Sequence, residues 1–357
     1  MERRLSRLSL IFAGPGRIAL QEEPLPRPAA GQLLIGSLVS GISCGTEILI
    51  YRGLAPPGLP VDETIPALAG NFSFPLKYGY AAVGRVLAVG PEASPGWIGK
   101  RVFSFHPHES HFLAAPGEVV PLPPDLSPEE AVFWPSMETA VNFLLDGRPA
   151  IGEQVAVFGQ GVVGLLTAAL LARCPLARLI TLDRHARRRQ ASLSLGAGAS
   201  LDPGAVGLPE LLSLLGGSGP AAGADLVYEL SGEPQTLEQA LAVAGIEGRV
   251  VVGSWYGDQP AHLHLGGRFH RARLRLISSQ VSRLAPRWSG RWTKLRRWQV
   301  AAEMLRRVRP AGLITHRFPI AQADQAYRLL DERPGEAMQV ILVYPPAEKG
   351  APCTESD

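Results

Sequence analysis

Three groups of residues in this chain have types and spacings that could do chemistry. The first is Gly159-x-Gly161-x-x-Gly164 in "VAVFGQGVVGLL", set between an apolar run that reads as a strand and one that reads as a helix. The first Gly suits a tight turn and the second lets backbone approach a pyrophosphate. The third packs helix on strand, and the helix N-terminus attracts negative charge. Nineteen residues past Gly164, Asp183 ends the next strand-like run, where a carboxylate accepts from a ribose 2′-hydroxyl and repels a 2′-phosphate. A dinucleotide site is therefore expected at Gly159, Gly161, Val162, Val163, Gly164 and Asp183, with NAD preferred. NADP stays open, because Arg184, Arg187, Arg188 and Arg189 follow and one of them could hold a 2′-phosphate; the other reading is a solvated basic face. The second group is "FSFHPHESH", which supplies His106, His108, Glu109 and His111; on a strand His106 and His108 point to one side. The third is Cys44-Gly45-Thr46-Glu47, a Gly-flanked turn after a strand-like run, where a cysteine is a metal ligand, a nucleophile or a remnant.

Positioning these groups takes more than one domain. A chain of 357 residues suits two domains with cores of their own, and its 46% hydrophobic and 19% charged content describes a globular protein. Three scattered cysteines argue against a disulfide framework, so a cytoplasmic location is expected. The start, "MERRLSRLSLIFAGPG", reads as a first strand rather than a signal, because its apolar run is short and breaks at Gly14-Pro15-Gly16. The longest apolar stretch, 161–172, is too short to span a bilayer, so no membrane partner is expected. Residues 1 to about 125 are β-rich, with short apolar runs separated by Gly and Pro. Ser127, Pro128 and Glu130 start a helix expected to bridge two domains. From residue 153 strands and helices alternate, which means an α/β unit with a doubly wound parallel sheet.

The net charge of +3 hides an asymmetry: the window 268–309 carries +12 and the rest −9. Arg287, Trp288, Arg291, Trp292 and Trp298 fall in this window, with Trp288 and Trp292 spaced to share a helix face. Arg and Trp together could hold a flat anionic or heteroaromatic substrate, with Arg287 and Trp288 as candidates. They could equally form a solvent or subunit face. Nucleic-acid binding is permitted by the same composition but sits badly with a complete cofactor site, and no nucleic-acid partner is expected.

The stretches "SGISCGTE", "YGYAAVGRVLAVG", "VFGQGVVGLL", "YELSGEP", "GRVVVGSWYG" and "GLITHRFPIAQADQAYRLL" together resemble the medium-chain dehydrogenases and reductases, which include the zinc alcohol dehydrogenases. The resemblance covers nearly the whole chain and extends to the branch that includes bacteriochlorophyllide a dehydrogenase. It implies a GroES-like catalytic domain from residues 1–128 and 310–357, a bridging helix at 129–150, and a Rossmann NAD(P)-binding domain at 151–309. It further implies an active site in the cleft between the domains and a homodimer or homotetramer.

By the same resemblance, Cys44 matches the first ligand of the family's zinc. The second ligand's place reads Gly79-Tyr80-Ala81 and the third's reads Trp134-Pro135, so zinc is not expected and Cys44 is a remnant or partial ligand. A different metal site from Cys44, His106 or His108 and Glu138 stays open. Without zinc, other groups must hold the substrate oxygen and take its proton. Thr46 and Tyr80 are the expected oxygen contacts and His106 the acid or base. Glu47, His108 and Glu138 are weaker substrate-side candidates. Thr139 matches a residue that packs on the nicotinamide, while Ser231 and Gly253 lie at strand ends along the cofactor. The expected function is alcohol or carbonyl hydride transfer on a small-molecule substrate. The alternative is zinc-free reduction of an activated C=C bond.

Overall fold

The structure is a computed structural model that describes residues 6–62, 64–216 and 222–345. The tail that holds Cys353 lies outside the described residues. The chain opens with a hairpin, β1 (Ser6–Gly14) against β2 (Arg17–Pro24), followed by β3 (Leu33–Ile42) and the short helix α1 (Thr46–Tyr51). After a long connection come β4 (Ala82–Val89), β5 (Arg101–Ser104), β6 (His111–Ala114) and β7 (Val119–Pro121). The expected bridging helix is two helices, α2 (Pro128–Ala131) and α3 (Trp134–Gly147). Ser127 caps α2 in a reciprocal capping box with Glu130. Pro135, in the first turn of α3, has no amide hydrogen to donate back, so a new helix starts there.

The second half alternates as the apolar runs predict. It runs β8 (Gln154–Phe158), α4 (Val162–Leu171), β9 (Arg178–Leu182), α5 (Ala186–Ser194), β10 (Ala199–Leu201), α6 (Leu208–Leu214), β11 (Ala224–Glu229), α7 (Thr236–Val243), β12 (Ala244–Val252) and β13 (Arg275–Ser278). These strands form one parallel sheet in the order β10-β9-β8-β11-β12-β13. Then α8 (Lys294–Val308) leads to β14 (Ile314–Pro319), α9 (Ala323–Glu332) and β15 (Gln339–Val343). β15 pairs antiparallel with β3, so residues from both ends of the chain share the sheet β14-β15-β3-β4-β5-β7, with β6 also on β3. The molecule is thus α/β, with a β-rich GroES-like unit and a Rossmann unit. Among the described residues no helix is long and apolar enough to cross a membrane.

One core runs through both units. Val83 and Phe103 of the antiparallel sheet, Phe133 and Met137 at α3, Leu165 of α4 and Leu305 of α8 belong to the same buried cluster. On α8 the buried residues Trp298, Ala301, Ala302 and Leu305 recur at helical spacing, and the basic side chains take the other faces. This shared packing fixes the two units against one cleft.

The basic window is not one surface. Arg268 donates to the carbonyls of Ala222 and Ala244, Arg273 and Arg275 pair with Glu247, and Arg306 pairs with Asp125 and Glu303. Trp288 and Trp292 do not share a helix face: Trp288 ends a 3-10 turn, and the two rings meet edge-on at 6.4 Å.

Candidate active site

A single cleft of about 1820 Å³ is lined by both units. At one end it holds Gly159, Gly161, Val162, Val163 and Gly164, with Asp183, Arg184, Ser231 and Gly253 beside them. The turn has the shape a pyrophosphate needs. A Cβ on Gly164 would lie 1.9 Å from the Gly159 carbonyl oxygen, so helix and strand touch there, whereas a Cβ on Gly161 would meet nothing within 4 Å. Gly161 is also the N-cap of α4, so the free amides of that helix open into the same space. These residues fit a dinucleotide.

Asp183 is buried and braces this turn: its carboxylate accepts from the amide of Gln160 at 2.7 Å and from that of His185 at 2.8 Å. Lone pairs remain on it for a ribose hydroxyl. Arg184 is exposed and sits 3.5 Å from Glu233. The three arginines of α5 are held by partners, although Arg187 stays exposed. Arg187 donates to the Glu336 carbonyl, Arg188 donates to those of Pro334 and Ala337, and Arg189 pairs with Asp202.

At the other end the cleft is lined by Ser43, Cys44, Thr46, Tyr80, His106, Glu138 and Thr139. The Tyr80 phenol donates to the Ser43 hydroxyl at 2.6 Å, and Thr46 lines the same cleft, which makes a trio of hydroxyls. Burial pushes the Tyr80 phenol up to about 12, so it stays protonated and able to donate. His106 stacks on Phe112 at 4.0 Å, and burial holds its imidazole below the usual value. Its Nδ1 lies 3.2 Å from the Pro107 carbonyl, which can only accept. The proton is therefore on Nδ1, and Nε2 keeps its lone pair. Thr139 donates back to the Pro135 carbonyl at 2.9 Å while lining the cleft.

Several expected site residues are placed elsewhere. His106 and His108 do not share a side, because Pro107 interrupts the strand and residues 105–108 are irregular. His108 turns into the core, where its Nε2 donates to Glu47 at 3.0 Å and its Nδ1 meets the Ser40 hydroxyl at 2.6 Å. Glu47 is fully buried, also accepts from the Tyr327 hydroxyl, and takes the Ser43 amide at 2.8 Å. Neither Glu47 nor His108 lines the cleft, so they brace the 43–47 turn from behind rather than touch substrate. Arg287 and Trp288 are also outside the cleft lining. Trp288 instead donates to the Leu145 carbonyl at the end of α3, and Arg291 lies over its ring at 4.7 Å.

Of the Arg, Lys and Trp side chains of the basic window, Lys294, Arg297 and Trp298 line the cleft. Arg297 is only 1% exposed. Its guanidinium donates to Glu138 at 3.0 Å, to Asn142 at 2.6 Å and to the Val281 carbonyl at 2.5 Å. Asn142 and Ser279 extend this network to Asp146. Burial raises the Glu138 carboxyl and the Arg297 charge opposes that rise. Trp298 stacks on Trp134 at 4.6 Å and meets Phe105 at 5.2 Å with a 50° tilt. The spacing of Trp298, Ala301, Ala302 and Leu305 was the sequence signal that Trp298 faces inward.

A zinc ion does not fit the side chains at the family's metal position. Burial pushes the Cys44 thiol up to about 11, and its Sγ lies 3.0 Å from the Met338 carbonyl as a donor. One sulfur alone does not hold zinc, which takes three protein ligands in a catalytic site. Tyr80 is committed to hydroxyls, and Trp134 is stacked and buried. Glu138 is held by Arg297 and His108 by Glu47, so the alternative set of Cys44, a histidine and Glu138 is not assembled. Among the described residues no group of three His, Cys, Asp or Glu side chains is placed to hold a metal.

Residues 162–298 match the zinc-binding dehydrogenase family. The match begins at the first residue of α4, downstream of Cys44, Tyr80 and Trp134. Over 91% of its length the chain is similar to L-threonine 3-dehydrogenase of Bacillus subtilis, at 24% identity and 94% of that protein. Over 95% it is similar to 2-desacetyl-2-hydroxyethyl bacteriochlorophyllide A dehydrogenase of Rhodobacter capsulatus, at 25% identity and 98% of that protein. In fold it is similar to an alcohol dehydrogenase of Escherichia coli CFT073 solved with NADH. That likeness has a TM-score of 0.76 and 19% identity, over 95% of this chain and 99% of that one.

Proposed function

We propose that this chain, which belongs to the medium-chain dehydrogenase/reductase superfamily, is an NAD(P)-dependent oxidoreductase of alcohols or their carbonyl counterparts whose own hydroxyl groups, not zinc, hold the substrate oxygen. One observation carries the reading: the cleft that holds the Gly-rich turn and Asp183 also holds the hydroxyl trio Ser43, Thr46 and Tyr80. When bound, the dinucleotide supplies a hydride acceptor or donor at its nicotinamide. Asp183 favours the ribose hydroxyl of NAD, and Arg184 is the side chain a 2′-phosphate would recruit from Glu233. Thr139, Ser231 and Gly253 line the same cleft, where the cofactor would run.

On the substrate side, the Tyr80 phenol turns from Ser43 to donate to the oxygen, with Thr46 as the second contact. As alcohol becomes carbonyl, the hydroxyl proton leaves by way of these hydroxyls and is taken by Nε2 of His106. In the reverse direction the same groups return it. Glu47 fixes the trio through the Ser43 amide. Zinc-free reduction of an activated C=C bond remains the second reading, supported by the same poor zinc donor set; turnover of an enone but no alcohol would select it.

The pH dependence tests the role of His106. Its pKa lies below the usual value of about 6.5, so the neutral base persists at pH 7 and is lost only on further acidification. Alcohol oxidation is expected to be flat above about pH 7 and to fall as pH drops through the lowered pKa. In His106→Gln this acid limb should vanish, with kcat down about 10²-fold. An unchanged limb in that variant would remove His106 from the mechanism.

A further inference from the structure

We infer that the substrate carries a flat aromatic ring system, and that Trp255 is the surface on which it lies. This inference rests on the oxidoreductase reading above and adds the substrate class. Trp255 follows β12 at the Rossmann side of the cleft, lines it, and is 38% exposed. An indole held in a cleft with that much surface in water offers a large apolar area to a ligand.

The ring is braced from behind. Phe72, from the long connection before β4, is buried and meets it at 5.3 Å with a 41° tilt. The loop that carries Trp255 is tied to the opposite unit, because the Asp258 amide donates to the Leu54 carbonyl at 3.1 Å. Packing there is so close that a Cβ on Gly257 would lie 2.2 Å from the same oxygen. The exposed indole is therefore set by contacts from both units rather than left on a loose loop.

The rest of the cleft agrees with this surface. Phe105 and Trp298, in contact at 5.2 Å, line it as a second aromatic pair, and Tyr80 lines it with them. The guanidinium of Arg297 in that wall is occupied by Glu138, Asn142 and a backbone carbonyl. Apolar and aromatic surface is what Phe105, Trp298 and Tyr80 offer, while Lys294 also lines the cleft. A small aliphatic alcohol would leave Trp255 uncovered, whereas a fused aromatic ring would cover it while its carbinol reaches the hydroxyl trio.

The test compares 2-acetonaphthone with butan-2-one by calorimetric titration into protein saturated with NAD⁺, in wild type, Trp255→Ala and Trp255→Phe. Wild type is expected to prefer the naphthyl ketone. Trp255→Ala should reduce that preference about tenfold, and Trp255→Phe should restore most of it. The inference is overturned if wild type shows no preference, or if the preference survives in Trp255→Ala. Turnover of the matching alcohols is followed separately. Trp255-dependent binding of the naphthyl ketone without any oxidation of the naphthyl alcohol upholds the aromatic site and rejects the oxidoreductase reading.

Discussion

Tyr80→Phe is expected to lower kcat for alcohol oxidation by about 10²- to 10³-fold, the usual cost of one donor to a developing oxyanion. KM should change little, because the phenol bonds the Ser43 hydroxyl before substrate arrives and is fully used only as charge builds on the substrate oxygen. With its pKa pushed up to about 12, the phenol donates across the neutral range, so the loss should be the same at every pH where the enzyme is stable. Steady-state rates over that range measure both points. A variant within twofold of wild type would show that Tyr80 only fills space, since Phe fills it equally.

The second large effect is on stability. Arg297→Met removes a guanidinium that is 1% exposed and that joins Glu138, Asn142 and the Val281 carbonyl past β13. The Glu138 carboxyl, only 11% exposed, is left in the wall without its counter-charge. Breaking a buried pair from one side costs about 3–5 kcal/mol. The double variant Glu138→Met/Arg297→Met should recover much of that, because neither charge then remains to be desolvated. Denaturant midpoints of the two variants decide it. Equal losses would mean that Arg297 stabilises through its other bonds rather than through Glu138.

The parts of this molecule differ in how far they can be read from sequence. The cofactor turn is local: glycines, strand and helix start lie within one short stretch, so Gly159 to Gly164 declare themselves. The pairing of β15 with β3 joins opposite ends of the chain, and only the resemblance to a superfamily anticipates it. His106 and His108 were misplaced by applying strand alternation across Pro107, which ends the alternation. Within the Arg/Trp window, Arg287 and Trp288 lie outside the cleft lining and Arg297 and Trp298 are part of it. Arg287 and Trp288 lie on the irregular approach to α8, while Arg297 and Trp298 are on the helix face turned inward. That Arg297 is buried depends on Glu138, distant in sequence and on another helix, and no spacing rule conveys such a partner. Glu47 likewise lies beside Thr46 in sequence, but its side chain turns to the opposite side, toward His108 and Tyr327.

Zinc content and turnover measured on one sample bear most directly on the central claim. Hydroxyl groups that replace the metal predict NAD(P)-linked turnover in protein holding far less than an equivalent of zinc, with no loss after treatment with a chelator. A full equivalent of zinc per chain, removed by the chelator together with the activity, would contradict it.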